Sequence, residues 1–179
     1  MGIEERISNR MNTPSIADLI KRYDLQPHPE GGFFRESYRA SGLIPQSALP
    51  SCFNGDRAYA TVIYYLLPQG SKSSWHCIQS DETWHFYLGG SMSILQLSPE
   101  GQFTSTCLGS NILDGETLQY TVPAGYWFAA IPEPETPYSF VGCTVAPGFD
   151  FSEFTLANTG ALIEQFPDAR QEIVRLSHS

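Results

Sequence analysis

From Ala58 to Val145 the chain alternates apolar and polar positions in short runs, each closed by a turn former. That period of two is what a strand imposes when one of its faces is buried. The predicted strands are Ala58 to Leu67, Ser74 to Ile78, Thr83 to Leu88, Met92 to Leu97, Thr104 to Leu108, Thr117 to Val122, Trp127 to Ala130 and Tyr138 to Val145. Between them stand Pro68-Gln69-Gly70, Gly89-Gly90, Pro99-Glu100-Gly101, Asp114-Gly115 and Pro132-Glu133-Pro134-Glu135, residues that favour turns and break ladders. Such even spacing predicts an antiparallel sandwich or barrel. An earlier strand runs from Phe33 to Arg39, with Phe34, Glu36 and Tyr38 expected on one side and Phe33, Arg35, Ser37 and Arg39 on the other. Helical spacing appears only at the ends. Ile16, Leu19, Ile20 and Tyr23 follow Thr13-Pro14, expected as N-cap and first helical residue. Ala169, Ile173 and Leu176 close the chain. The stretch Gln26-Pro27-His28-Pro29-Glu30-Gly31-Gly32 reads as irregular, and residues 40–56 read as a long loop.

Bulk properties narrow this picture. A length of 179 residues with 41% hydrophobic side chains suits one domain with one sizeable core. Residues 1–12 are polar and expected to be flexible, and 13–179 form the domain. Nineteen acidic against ten basic residues leave a net charge of −9, which disfavours nucleic acid and anionic membrane as partners. Cys52, Cys77, Cys107 and Cys143 show no C-x-x-C spacing, so free thiols are expected. The opening MGIEERISNRMNT lacks the apolar run of a secretory signal, and no segment is apolar for long enough to span a membrane as a helix, so a cytoplasmic location is expected.

Two stretches carry the chemistry. Gly70, His76, Ile78, Glu82 and Gly89 keep the spacing of the first motif of the cupin superfamily, G-x5-H-x-H-x3-E-x6-G, with Ile78 where the second histidine stands. Pro123-Ala124-Gly125-Tyr126-Trp127-Phe128 keeps the spacing of the second, with Phe128 in place of its histidine. More narrowly, Glu30-Gly31-Gly32-Phe33-Phe34-Arg35-Glu36, Ser80-Asp81-Glu82, Trp84-His85 and the run from Val141 to Phe149 resemble a family of small single-domain cupins without an assigned function. The resemblance covers about Ile16 to Phe166. It implies an all-β double-stranded β-helix, the cupin jelly-roll barrel, with short flanking α-helices. It also implies likeness in fold to dTDP-4-keto-6-deoxyhexose 3,5-epimerases and a homodimer that exchanges its N-terminal strands around Phe33 to Tyr38.

The residues themselves point to proton transfer more than to metal chemistry. His76 and position 78 share one strand face, and a bend through Gln79-Ser80-Asp81 returns Glu82 toward them. Two of the four cupin ligand positions carry no donor, whereas catalytic zinc and non-haem iron need three protein ligands. His76 would act as general base, with Glu82 fixing its tautomer. By analogy with the epimerases, a tyrosine would oppose it as acid and a cation would face the developing enolate. Tyr64, Tyr65, Tyr87 and Tyr138 are candidates for the acid, Tyr138 standing first, and Arg35, Arg57 and Lys72 for the cation. Glu36, Tyr64, His85, Trp127 and Phe128 complete the residues expected to touch ligand, Phe128 favouring an organic ring over an ion. The expected function is binding of a small polar metabolite, a carbohydrate or nucleotide sugar, with metal-independent epimerase or isomerase chemistry. No cofactor and no resident metal are expected. The alternatives are a non-catalytic binding protein, and a metal-dependent cupin oxygenase or isomerase using His76, Glu82 and His85.

Overall fold

The alternating pattern folds into two antiparallel sheets whose inner faces enclose a barrel and whose outer faces are each covered by helix. The computed structural model describes residues 13–178, so the expected flexible stretch 1–12 lies outside the described residues. In chain order the elements are α1 (Ile16–Tyr23), β1 (Gln26–Pro27), β2 (Phe33–Arg39), β3 (Leu43–Ile44), β4 (Arg57–Ala58), β5 (Thr61–Pro68), β6 (Ser73–Cys77), β7 (Asp81–Gly89), β8 (Met92–Leu97), β9 (Phe103–Leu108), β10 (Gln119–Val122), β11 (Trp127–Pro132), β12 (Tyr138–Ala146), β13 (Thr155–Leu156), α2 (Thr159–Gln165) and α3 (Arg170–Leu176). The larger sheet has the order β1-β2-β5-β12-β7-β10 and the one facing it β13-β6-β11-β8-β9, while β3 and β4 pair as a separate two-stranded sheet. This is the predicted all-β jelly-roll barrel with short helices.

Three apolar clusters define the layers. Between the sheets lie Tyr65, Leu67, Trp84, Ile94, Phe128, Val141 and their neighbours. Behind the five-stranded sheet, Trp75, Leu95, Leu97 and Ala129 meet Leu162, Phe166, Ile173 and Leu176 of the C-terminal helices. Behind the six-stranded sheet, Leu66, Tyr138 and Phe140 meet Leu19 and Leu25 of the N-terminal segment. Strands β5, β8, β11 and β12 therefore bury both faces over part of their length, which is why their apolar runs are denser than strict alternation demands. The N-terminal helix starts two residues later than predicted. Ser15 is its N-cap, its side chain accepting from Asp18 N while Asp18 accepts from Ser15 N. This reciprocal capping box satisfies two donors that Thr13-Pro14 could not. No helix among the described residues is long and apolar enough to cross a membrane.

Two local irregularities decide which side chains reach the interior. In β2 the register against β5 slips between Glu36 and Tyr38, so Glu36 stands opposite Ile63 and Arg39 opposite Thr61. This β-bulge returns Arg39 to the side of Glu36 and turns Tyr38 out to solvent, the reverse of strict alternation. In β6 the register against β11 slips between Phe128 and Ala130, so His76 stands opposite Phe128 and Ser73 opposite Ala130. Ser74 and Trp75 of β6 thereby oppose Ala129 alone, and Ser73 joins His76 on the inner face.

The irregular stretch before β2 is pinned to this inner face. His28 N donates to Gly32 O at 3.0 Å and Gly31 N to His28 O at 3.0 Å, closing a turn. Ser74 N donates to Glu30 O at 2.9 Å, and Tyr65 Oη donates to Gly31 O at 2.8 Å. Gly31 has φ of 119°, and a Cβ there would collide with the backbone carbonyl of Lys72. Gly31→Ala is expected to lower unfolding free energy by roughly 2 kcal/mol or more, from the disfavoured conformation and the displaced turn. Urea unfolding of the variant checks this, and an unchanged midpoint would refute it.

Candidate functional site

The turn at residues 28–32 drives a carboxylate into the barrel. Glu30 is buried, and its Oε2 lies 3.1 Å from His76 Nε2. Its other oxygen accepts from Ser73 Oγ at 2.8 Å. The far side of the His76 ring, Nδ1, lies 2.7 Å from Ser74 O. A carbonyl can only accept, so Nδ1 carries a proton. Nε2 and the carboxylate would repel each other as two lone pairs, so a proton also lies between them. Glu30 and His76 thus form a buried pair: imidazolium with carboxylate, or imidazole with carboxyl.

This pair opens onto a cavity of about 130 Å³. Its wall from β2, β5 and β12 includes Phe34, Glu36, Arg39, Thr61, Ile63 and Cys143, and its floor includes Ile78 and Glu82. His28 lines it above Glu30, and Phe149, Asp150, Phe151 and Phe154 close over the mouth. Phe128 backs the site with its ring centroid 4.0 Å from that of His76. His28 Nδ1 accepts from Glu30 N at 3.3 Å, which leaves the ring proton on Nε2.

Burial sets the protonation states. It pushes the Glu82 carboxyl up to about 8, and the negative charge of Glu30 adds to the effect. Glu82 therefore carries its proton at neutral pH. Burial likewise pushes the Cys143 thiol beside it well up. Burial also holds His28 below the usual imidazole range, against the opposing pull of Glu30. At the mouth, the Glu36 carboxylate raises the Arg39 guanidinium further, with Arg39 Nε donating to Glu36 Oε1 at 3.0 Å and Nη2 to Oε2 at 2.7 Å.

The sequence-predicted residues divide sharply. His76, Glu82 and Glu36 line the cavity, and Phe128 packs behind it. The others lie elsewhere. Tyr138 belongs to the cluster behind the six-stranded sheet, where its hydroxyl donates to Pro14 O at 2.7 Å, so it is not placed as the opposing acid. Tyr64 packs in the same outer cluster against Tyr23 and Phe140. Trp127 sits on the outer face of the other sheet among the C-terminal helices. Arg35 is exposed and paired with Asp24 at 2.7 Å, and Lys72 reaches Arg175 O at 3.2 Å. Arg57 is buried in an ion pair with Glu153. His85 lies on the outer face of β7, 2.9 Å from Thr144 Oγ1 and 2.8 Å from Gln119 Nε2. The β7 register slip falls beyond it, at Phe140 and Val141 of β12, too late to turn it inward. The role expected of Glu82, fixing the His76 tautomer, falls to Ser74 O and Glu30.

Glu30, His28 and Arg39 were not among the predicted site residues. The signal for the first two was His28-x-Glu30 set between prolines and glycines, two ionisable groups in a loop that cannot form a ladder. Arg39 depends on the β2 bulge, which leaves no mark in the alternation.

The metal centre found in many cupins does not fit these donors. Positions 78 and 128 carry no ligand atom, both nitrogens of His76 are engaged, and His85 is on the opposite face. Among the described residues no three His, Cys, Asp or Glu side chains are grouped to hold an ion.

A jelly-roll barrel with motif residues His76 and Glu82 on its inner face defines a cupin. The family model described as Cupin superfamily (DUF985) matches residues 17–157, and the chain belongs to that family. It is similar to the uncharacterized protein YML079W of Saccharomyces cerevisiae, 30% identical over 79% of this chain and 74% of that protein. Among solved structures it resembles protein SO0799 from Shewanella oneidensis, with TM-score 0.83 and 36% identity over 92% of this chain and 98% of that one. It also resembles a hypothetical protein from Leishmania major, with TM-score 0.83 and 28% identity over 93% of this chain and 100% of that one.

Glu82 supplies a test by titration. Its folded carboxyl near 8 lies above the unfolded value near 4.5, so the folded state binds the proton more tightly. Its contribution is therefore full below about pH 4.5 and is lost as pH rises to about 8. The loss totals about 5 kcal/mol. Glu82→Gln cannot ionise, so its stability relative to wild type should climb by up to that amount across the window. Urea unfolding at a series of pH values reads the difference, and parallel curves would show Glu82 ionised in the folded state.

Proposed function

We propose that the barrel binds a small polar metabolite of the carbohydrate class and moves a proton on it without a metal, as an epimerase or isomerase does. What carries this reading is one cavity lined by both a proton-accepting pair, Glu30 with His76, and a carboxyl that keeps its proton at neutral pH, Glu82. Pairs of titratable groups driven to opposite protonation states supply an acid and a base together. In the forward step the Glu30 carboxylate, in the form of the pair that sets it against the His76 imidazolium, takes a proton from a carbon next to a carbonyl and becomes a carboxyl. The Glu82 carboxyl gives its proton to the carbonyl oxygen, leaving a neutral enol. Returning both protons after the enol has turned its other face to Glu30 yields the epimer, and returning the carbon-bound proton at the neighbouring atom yields the isomer. Each such group supplies on the order of 10² to 10⁴ in rate.

Incubation with free and nucleotide-linked keto sugars in deuterated water should label the carbon next to the carbonyl. Glu30→Gln and His76→Asn should each slow labelling about a hundredfold or more while binding changes little. Activity should fall as pH rises through about 8, where Glu82 ionises. Binding without labelling under all conditions would replace this reading by that of a non-catalytic binding protein.

The homodimer belongs to the same reading. β1 pairs only with Phe33 and Phe34 of β2, leaving the edge from Arg35 to Arg39 without a strand partner among the described residues. Open edges favour pairing with a second copy. Ser37→Pro should reduce the dimer fraction in sedimentation; a wild-type monomer would exclude it. The four free thiols support a reducing, cytoplasmic setting.

A further inference from the structure

We infer that the ligand of this cavity is an uncharged, single-ring polyhydroxylated molecule, a free monosaccharide or its lactone, and not a phosphorylated or nucleotide-linked sugar. The inference rests on the carbohydrate reading above and narrows it.

Charge comes first. In the depth of the cavity Glu30 and His76 compensate each other, and His28 and Glu82 are neutral near pH 7. At the mouth the one guanidinium, Arg39, is already gripped by both oxygens of Glu36, and its Nη2 also reaches Phe149 O at 3.2 Å. Asp150 adds a second carboxylate there, kept ionised by hydrogen bonds from Ser152. Two carboxylates against one engaged arginine leave the mouth negative. The lining holds no lysine, and Arg35, Arg57 and Lys72 are turned to other partners. A phosphate is normally held by free arginine or lysine forks or by backbone N–H groups at a helix start. Here it would meet like charge, reinforced by the net −9 of the chain.

Size and lining agree. About 130 Å³ is close to the volume that admits a single six-membered ring. Phe34, Phe149, Phe151 and Phe154 offer apolar surface to one ring face. His28 Nε2–H has no hydrogen-bond acceptor among the described residues, and the Glu82 carboxyl is a second neutral donor; both suit hydroxyl and carbonyl oxygens.

Calorimetric titration of wild-type protein at physiological salt, with matched sets of a free aldose or ketose, its phosphate and its nucleotide-linked form, tests the inference. A neutral sugar should bind at least about tenfold tighter than its charged counterparts. Glu36→Gln, which frees the Arg39 fork, should narrow that gap by about tenfold. Equal or tighter binding of a charged form, or no binding by any neutral sugar or lactone, would overturn the inference. Proton exchange on a nucleotide-linked sugar would sink it yet leave the proton-transfer reading intact; a tightly bound neutral sugar that never exchanges would do the reverse.

Discussion

A carboxylate removed from water costs several kcal/mol unless partners are fixed against it, and the interior of this barrel is built around the burial of Glu30. His76 meets one oxygen and Ser73 the other, while the backbone of the same residue is tied to Ser74. Each partner comes from β6, and all are in reach because the bulge opposite Ala129 brings Ser73 round to the face of His76. The turn that delivers Glu30 works only because Gly31 passes against the carbonyl of Lys72 with no side chain. A buried pair of this kind is not by itself evidence of net stability. Its value is positional, since losing either member would leave the other buried without its partner.

A second buried pair acts on the mouth. Arg57 and Glu153 join the loop before β5 to the segment after β12, and Asn54 N donates to the same carboxylate at 3.3 Å. That segment carries Phe149, Asp150, Phe151 and Phe154 across the opening. Arg39 holds it from the other side through Phe149 O. The long loop at residues 40–56 thus borders the site without lining it: it anchors the cover.

The fold was legible because period-two alternation and turn formers are local signals. Phe33–Arg39 and Met92–Leu97 match their predicted bounds, and most other long strands differ by a residue or two. The short β1, β3, β4 and β13 were not legible, being two residues each and defined by their partners. The site was legible at His76 and Glu82, where spacing carries the information, and at Glu36. It failed where a side chain's direction depends on a bulge, as at Arg39, or where an irregular loop folds inward, as at Glu30. Tyr64 and Tyr138 show the remaining difficulty. A strand with apolar residues on both faces does not reveal which face is the barrel interior, and both tyrosines serve the layer under α1.

The two departures from the cupin ligand pattern have a joint consequence. Ile78 and Phe128 remove two nitrogens that could bind an ion, and they line or back the same floor with hydrocarbon. A carboxylate among metal ligands is held ionised by the cation, whereas among isoleucine, phenylalanine and a buried thiol it is driven to keep its proton. Glu82 is in the second situation, with the charge of Glu30 nearby to reinforce it. The substitutions that dismantle coordination are therefore the ones that turn the retained glutamate from a ligand into an acid, and they leave the imidazole free to pair with a carboxylate from outside the motif. The two residues that survive at the motifs' ligand positions, His76 and Glu82, keep their places in the barrel and change their chemistry.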